Sequence, residues 1–178
     1  DLRAKLADAR GFDFLVTSGG ASVGDHDLIQ SVFGAEGLDL GFYKIAMQPG
    51  KPLIFGAIGG TWLLGLPGNP VSTGVTAAIF LKAAIEAMLS IEPGPMYRAA
   101  LLGGDLPANG KRQNYLRASL VFPPDGLPVA SAYTRQDSSM LALFADADCL
   151  IMRPIGAPAA AAGDIVQVVP LRFAAETF

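Results

Sequence analysis

The stretch FDFLVTSGGASVGDHD, residues 12–27, decides the fold class of this chain. Residues 12–17 form a short apolar run, which predicts a β-strand buried on both faces, as in a parallel sheet. A glycine-rich turn follows and leads to Asp25 and Asp27, which predict the start of a helix. A strand that passes directly into a helix is typical of an α/β layer.

The remaining sequence divides at Pro93, Gly94 and Pro95, which together are a linker signal. Before the linker, the hydrophobic patterns predict a helix over residues 2–9, strands over 40–47, 53–55 and 61–64, and a long helix over 71–91. After it, they predict strands over 97–102, 114–122, 127–133, 149–153 and 165–170, with one short helix over 138–145.

These elements predict two domains. Residues 1–92 are expected to form a three-layer α/β domain, and residues 93–178 a small all-β domain, either a barrel or a sandwich. An α/β domain normally opens on a core strand, whereas this chain opens on a helix. We therefore expect the first domain to be truncated at its N-terminus, and we expect the isolated chain to be inactive without the preceding half.

Composition excludes several classes of protein. The chain has 178 residues, of which 51% are hydrophobic and 16% charged, so it is expected to form a core. Its net charge of -3 argues against a nucleic-acid partner. The long helix contains Lys82 and Glu86, which favours a buried helix over a membrane span. The single cysteine, Cys149, excludes an internal disulfide and fits a reducing cytoplasm.

The glycine-rich turn is a candidate anion site. Its glycines allow close backbone approach, and a helix N-terminus supplies unpaired N–H donors. The residues expected to take part are Ser18, Gly19, Gly20, Ser22 and Gly24. The same pattern is also compatible with a tight strand-to-helix turn that binds nothing.

Asp25 and Asp27 are candidate magnesium ligands. Carboxylates at this spacing suit a mostly hydrated Mg²⁺ that is shared with a substrate phosphate. The alternative role is neutralisation of the helix dipole, which is the commoner use of acidic residues at a helix start.

Two further motifs could serve anion binding. Lys44, on the strand predicted over 40–47, and Lys51, in a Pro-Gly-Lys-Pro turn, could reach an anionic ligand, although both could instead be solvated surface residues. In GLPGNPVS, residues 65–72, Pro67 and Gly68 predict a turn, and Asn69 can cap the long helix. The helix start could present its N–H groups to a second anion.

Taken together and in this order, SGGxSxGxxD, KxxxxPGKP and GLPGNPVS resemble the molybdopterin molybdenumtransferase family, which includes MoeA and the gephyrin E domain. RQDSSML and the nearby ADADCLIM resemble the C-terminal domain of that family. The resemblance covers essentially the whole chain. It implies a molybdopterin-binding α/β domain followed by a barrel-like domain.

The resemblance also implies an activity and a set of site residues. Members of this family insert molybdate into adenylylated molybdopterin with Mg²⁺ and release AMP. Asp27, Lys44 and Lys51 match the catalytic positions, and Asp27 and Asp25 the metal site. The matching cofactor-binding positions are Ser18, Gly19, Gly20, Ser22, Gly24, Pro67, Gly68 and Asn69. Implied partners are a second subunit in a homodimer, molybdopterin adenylyltransferase and molybdoenzyme acceptors, in the cytoplasm.

The sequence departs from the family at two positions. Gln48 stands where some relatives have a lysine, and Asp146 where a basic residue is common, which leaves Ser138 and Ser139 as weak candidates for contacts from the short helix. Three alternative functions remain at this point. They are a molybdopterin adenylyltransferase, whose loop is usually of the GGTG type, a non-catalytic scaffold module, and a phosphate-binding domain without catalysis.

Overall fold

The computed structural model describes residues 8–9, 11–19 and 32–172. The helices predicted over 2–9 and from Asp25 lie mostly outside these ranges, although residues 32–35 are helical. Strands β1 to β5 are Phe14–Ser18, Asp39–Tyr43, Met47–Gln48, Ile54–Ile58 and Thr61–Leu66. Helix α1 spans Pro70–Met88, and its residues Ala77–Leu81 form a π-helical turn.

The first sheet has the strand order β1-β5-β4-β2. Only β1 and β5 are parallel, whereas β4 is antiparallel to both β5 and β2. The parallel pairing predicted for the strand over residues 12–17 is therefore confirmed, whereas a wholly parallel sheet is wrong, because β4 and β2 are antiparallel additions. The reason is the two-residue turn Gly59–Gly60, in which both residues have positive φ angles (55° and 89°), because so short a connection can join only antiparallel strands.

Helical residues cover both faces of this sheet. On one face, Phe80 and Leu81 of α1 pack against Leu64. On the other face, Phe33 packs against Ile54 and is buried. This confirms the three-layer α/β arrangement that the sequence predicts. Strand β1 is not buried on both faces as expected, because 40% of Val16 is exposed.

The second sheet closes into a five-stranded barrel, so the barrel forms rather than the sandwich. Its strands are β6 Arg98–Leu102, β7 Gln113–Val121, β8 Val129–Ala132, β9 Cys149–Arg153 and β10 Ile165–Pro170. The order is β7-β8-β6-β10-β9, and the pairing of β9 with β7 closes the barrel. Helix α2, Leu141–Asp146, begins three residues after the predicted start at residue 138.

The single strand predicted over 40–47 is wrong. Strand β2 ends at Tyr43, and Lys44 adopts a left-handed conformation with φ of 62°, which interrupts the extended backbone. The chain then forms β3, which pairs in parallel with β7 through Met47 and Gln113. A strand from the first half of the chain thus belongs to the second sheet, and the domain boundary near residue 93 stays a prediction.

Helix α1 lies between the two sheets. Val71, Val75 and Ile79 belong to a buried cluster with residues of β7 and β9, while Phe80 also contacts the first sheet. By length and composition alone, Pro70–Met88 would suit a membrane span. Packing between the two layers accounts for the apolar residues of its first half, whereas Ile85 and Met88 near its end are 45% and 42% exposed, so the helix is not buried over the whole predicted length.

Candidate functional site

The start of α1 anchors the site. Asn69 caps the helix, since its Oδ1 atom accepts a hydrogen bond from the backbone N–H of Ser72 at 3.1 Å. Pro70 occupies the first helical position, where no N–H is needed. The cap by Asn69 confirms what GLPGNPVS predicts. Together, Asn69 and Pro70 fix Ser72, which is only 8% exposed, at the mouth of a cleft.

The glycine turn after β1 lies against the turn before α1. The N–H of Gly19 donates to the carbonyl of Leu66 at 3.1 Å. A Cβ atom on Gly68 would lie 3.2 Å from the Cα atom of Gly19, so the two backbones approach closely. Ser18, Gly19, Pro67, Gly68 and Asn69 are thus brought together at the carboxyl ends of the parallel strands. We call this region the glycine end.

The other residues predicted for the glycine end lie outside the described part of the chain. These are Gly20, Ser22, Gly24, Asp25 and Asp27. Across residues 8–9, 11–19 and 32–172, no group of three or more His, Cys, Asp or Glu side chains could hold a metal ion. The assignment of Mg²⁺ to Asp25 and Asp27 therefore stays a prediction.

The Pro-Gly-Lys-Pro turn packs directly on α1. Gly50 has a φ of 110°, and a Cβ atom there would lie 2.5 Å from the methyl carbon of Thr76. A side chain at this position would therefore be strained and would push the turn away from the helix. Met47, which is 4% exposed, anchors the other side of the turn in the cluster around Val71. This packing holds Lys51 at the edge of the cleft.

The cleft, of about 420 Å³, is the second region, and we call it the cationic cleft. It is lined by Met47, Gln48, Pro49, Gly50, Lys51, Pro52, Ser72, Arg112, Gln136, Asp137 and Ser138. The lining comes from both halves of the chain. Lys51 and Arg112 supply positive charge, while hydroxyl and amide groups supply hydrogen-bond donors. Such a set of groups suits a small oxyanion.

A buried arginine fixes the loop that closes the cleft. Arg117 of β7 is 2% exposed, and its backbone N–H donates to Oε1 of Gln136 at 3.0 Å. In return, the side-chain amide of Gln136 donates to the carbonyl of Arg117 at 3.0 Å. The guanidinium also donates to the carbonyl of Met140 at 3.2 Å. Burial lowers the pKa of Arg117, and Asp137 opposes that shift.

One cleft residue carries the opposite charge. The carboxylate of Asp137 accepts a hydrogen bond from the backbone N–H of Ser139 at 2.8 Å. That hydrogen bond lowers the pKa of Asp137, so the group is ionised at neutral pH. Asp137 therefore offsets part of the positive charge of Lys51 and Arg112.

Not every predicted residue lies in the cationic cleft. Lys44 is exposed, and its ammonium nitrogen lies 4.6 Å from the centre of the Tyr43 ring. Of the two weak candidates, Ser138 lines the cleft and Ser139 does not. Asp146 lies at the end of α2, where its carbonyl accepts from the hydroxyl of Tyr133.

Cys149 is buried in the barrel, as its apolar strand predicts. Its side chain is inaccessible, and desolvation, aided by the charge of Asp148, raises the pKa of the thiol to about 12. A thiol in this state is a poor nucleophile.

Sequence reasoning missed Ser72, Arg112, Gln136 and Asp137 of the cleft. Gln136 stands within RQDSSML, where the order of residues alone did not indicate its hydrogen bonds with Arg117. Arg112 precedes β7 and reaches the turn of Lys51 only because β3 pairs with β7. No local sequence signal reveals that pairing.

Comparison with known proteins covers both halves of the chain. Residues 1–87 match the family described as "Probable molybdopterin binding domain", and residues 99–171 match "MoeA C-terminal region (domain IV)". The molybdopterin molybdenumtransferase of Bacillus subtilis is 34% identical over 90% of this chain. That of Haemophilus influenzae is 29% identical over 94%. The chain spans 37% and 42% of the lengths of these two relatives.

A solved structure agrees with this result. The molybdopterin biosynthesis moea protein from Pyrococcus horikosii superposes with a TM-score of 0.76 at 28% identity. The match covers 96% of this chain and 40% of the Pyrococcus chain. The likeness therefore includes the order of the two domains as well as the fold of each.

Proposed function

We propose that this chain, which belongs to the molybdopterin molybdenumtransferase family, binds molybdate in the cationic cleft and inserts it into molybdopterin. The observation that carries the proposal is the convergence of Lys51 and Arg112 with hydroxyl and amide donors around about 420 Å³ of space. A tetrahedral oxyanion with two negative charges needs both the positive charge and the hydrogen bonds.

The glycine end is proposed to hold the other substrate, adenylylated molybdopterin. Its phosphate groups would lie against the close backbones of Gly19 and Gly68, with the cap at Asn69 beside them. The backbone N–H of Ser72 donates to the capping side chain of Asn69, and Ser72 also lines the cationic cleft. The two regions are therefore neighbours along the first turn of α1, which suits a transfer between two bound substrates.

The chemistry needs charge neutralisation more than a protein nucleophile. Cleavage of the adenylate is a phosphoanhydride reaction, in which positioning and electrostatic stabilisation dominate. Lys51 and Arg112 would hold the molybdate oxyanion close to the dithiolene sulfurs of molybdopterin, which accept the molybdenum. Mg²⁺, held by Asp25 and Asp27 in this proposal, would neutralise phosphate charge. AMP leaves as the product.

Two assays on the full-length protein separate this function from the adenylyltransferase alternative. We expect molybdate-dependent release of AMP from adenylylated molybdopterin, and no ATP-dependent adenylylation of molybdopterin. Calorimetric titration with sodium molybdate should reveal binding that Lys51→Ala weakens. Adenylylation activity, or molybdate binding that is equal in wild type and Lys51→Ala, would contradict the proposal.

The remaining parts of the proposal concern assembly. A homodimer, exchange with molybdopterin adenylyltransferase and molybdoenzyme acceptors, and a cytoplasmic location follow from the family alone. We also propose that residues 1–178 by themselves insert negligible molybdate. The ground for this point is that the chain spans only 37% and 42% of the lengths of the two relatives, and full activity of residues 1–178 alone would contradict it.

A further inference from the structure

The loop that carries Ser138 leads directly into α2, and α2 packs on α1, with Phe144 against Gly74. The ring of Phe144 lies against Gly74, and a Cβ atom on Gly74 would be 2.6 Å from the Cζ atom of that ring and closer still to Cε1. Real Cβ atoms do not approach a ring so closely. The absence of a side chain at residue 74 therefore allows the two helices their present separation.

The two residues of this contact lie on segments that also line the cationic cleft. Gly74 is two residues after Ser72 on α1, and Phe144 is six residues after Ser138. Ser72 and Ser138 both line the cleft. Their separation consequently depends on how closely α2 approaches α1.

The same contact is coupled to the turn that carries Lys51. Phe144 packs on a buried cluster that includes Met47, Val71 and Val75. Met47 begins the turn, and Val71 and Val75 flank Ser72 and Gly74 on α1. Three segments that line the cleft thus rest on one cluster, and dense packing transmits a displacement of the ring to all of them.

We propose that Gly74 and Phe144 are positioning residues that set the width of the cationic cleft and so its selectivity for a tetrahedral dianion. The inference rests on the proposed function, since it gives the cleft a specific oxyanion substrate. Neither residue touches the anion. A larger side chain at residue 74 displaces the ring of Phe144, and because that ring is packed on the cluster with Val71 and Val75, the displacement moves α2 away from α1 and separates Ser138 from Ser72.

The test is a compensating pair of substitutions in the full-length protein. Gly74→Ala should raise the Kd for sodium molybdate by about tenfold or more, the scale of one lost hydrogen bond to a charged group. The KM for molybdate should rise with it, while kcat at saturating molybdate stays within about twofold, as expected for lost ground-state binding. Gly74→Ala/Phe144→Ala should restore the affinity to the level of Phe144→Ala alone, because the ring that the added methyl group displaces is gone.

Two further variants distinguish a change in the width of the cationic cleft from a general loss of packing. Leu143→Ala alters the neighbouring residue of α2, which lines a different groove with Ser119 and Tyr133, and it should leave the Kd unchanged. Phe144→Ala alone should weaken molybdate binding by several-fold, since it removes the ring that supports the loop. This variant keeps the test decisive if Gly74→Ala does not fold.

Each result decides between the two levels of the proposal. If Lys51→Ala abolishes molybdate binding while Gly74→Ala and Phe144→Ala bind normally, the positioning role of Gly74 and Phe144 is wrong and the proposed function stands. A double variant that regains its melting temperature but binds molybdate no better than Gly74→Ala also overturns this positioning role. If the wild type itself does not bind molybdate, the proposed function fails first.

Discussion

The glycine end and the cationic cleft differ in how the chain builds them. The glycine end comes from two local motifs at the ends of adjacent parallel strands, and Gly19 and Gly68 meet there through backbone atoms. The cationic cleft takes single side chains from separate segments, including Lys51 and Arg112. A site built from backbone can be recognised in a motif. A site built from distant side chains becomes visible only once the fold brings them together.

The largest expected effect tests the glycine end. Asp27→Asn in the full-length protein should abolish molybdate-dependent AMP release, because the amide loses the charge that a metal ligand needs. Asparagine can still cap a helix, so the melting temperature should change little. Near-normal turnover would remove Asp27 from the site and leave the glycine end a purely structural turn.

The next largest effect is expected when molybdate binding is compared between alanine variants of the two lysines. Lys51→Ala should weaken molybdate binding by roughly 10- to 100-fold, the loss of one charged contact in a partly enclosed cleft. Lys44→Ala should cost only a few-fold, since this lysine lies over Tyr43 and outside the cleft. Calorimetric Kd values for both variants provide the measurement. A larger effect at Lys44 would mean that the anion binds elsewhere.

A third prediction concerns the loop that closes the cleft. Gln136→Ala removes the acceptor of the backbone N–H of Arg117 and one of two donors to its carbonyl, the other being the N–H of Tyr133, a loss of about 1–3 kcal/mol. We expect a lower melting temperature and about tenfold weaker molybdate binding. Gln136→Glu is the matched variant, because its carboxylate can still accept from Arg117. Unchanged binding in Gln136→Ala would show that the loop does not need this clamp.

The smallest expected effect is an increase in molybdate affinity rather than a loss. Asp137→Asn removes a negative charge from the cationic cleft while its side-chain oxygen can still accept from the N–H of Ser139. Molybdate affinity should rise by a few-fold, the size of an exposed charge interaction. The advantage should shrink at high salt. Weaker binding in this variant would show that Asp137 orders the loop chiefly through its charge.

The fold was largely predictable because local patterns dominate it. Strands β9 and β10 begin and end where alternation and turn signals indicate, and the cap of Asn69 follows from residue chemistry alone. The prediction over 40–47 failed because an apolar pattern does not reveal the left-handed residue Lys44. Gly59–Gly60 signals a hairpin, and it would have predicted the mixed sheet.

The candidate site was predictable only in part, for a physical reason. Lys51 and the residues at the glycine end are marked by proline and glycine, which constrain the backbone locally. Arg112 and Gln136 are not flanked by such a local sequence signal. Their role depends on the pairing of β3 with β7 and on the hydrogen bonds between Gln136 and the backbone of Arg117, both of which join distant parts of the sequence.

The short strand β3 has a consequence for the order in which the molecule is made. Met47 pairs with Gln113, and the loop with Ser138 follows later still. Chains emerge from the ribosome with the N-terminus first, and contacts distant in sequence form late. The first sheet can therefore acquire its strands while the turn of Lys51 still lacks the strand against which it rests. A nascent chain released before residue 113 would hold the lysine but no cleft.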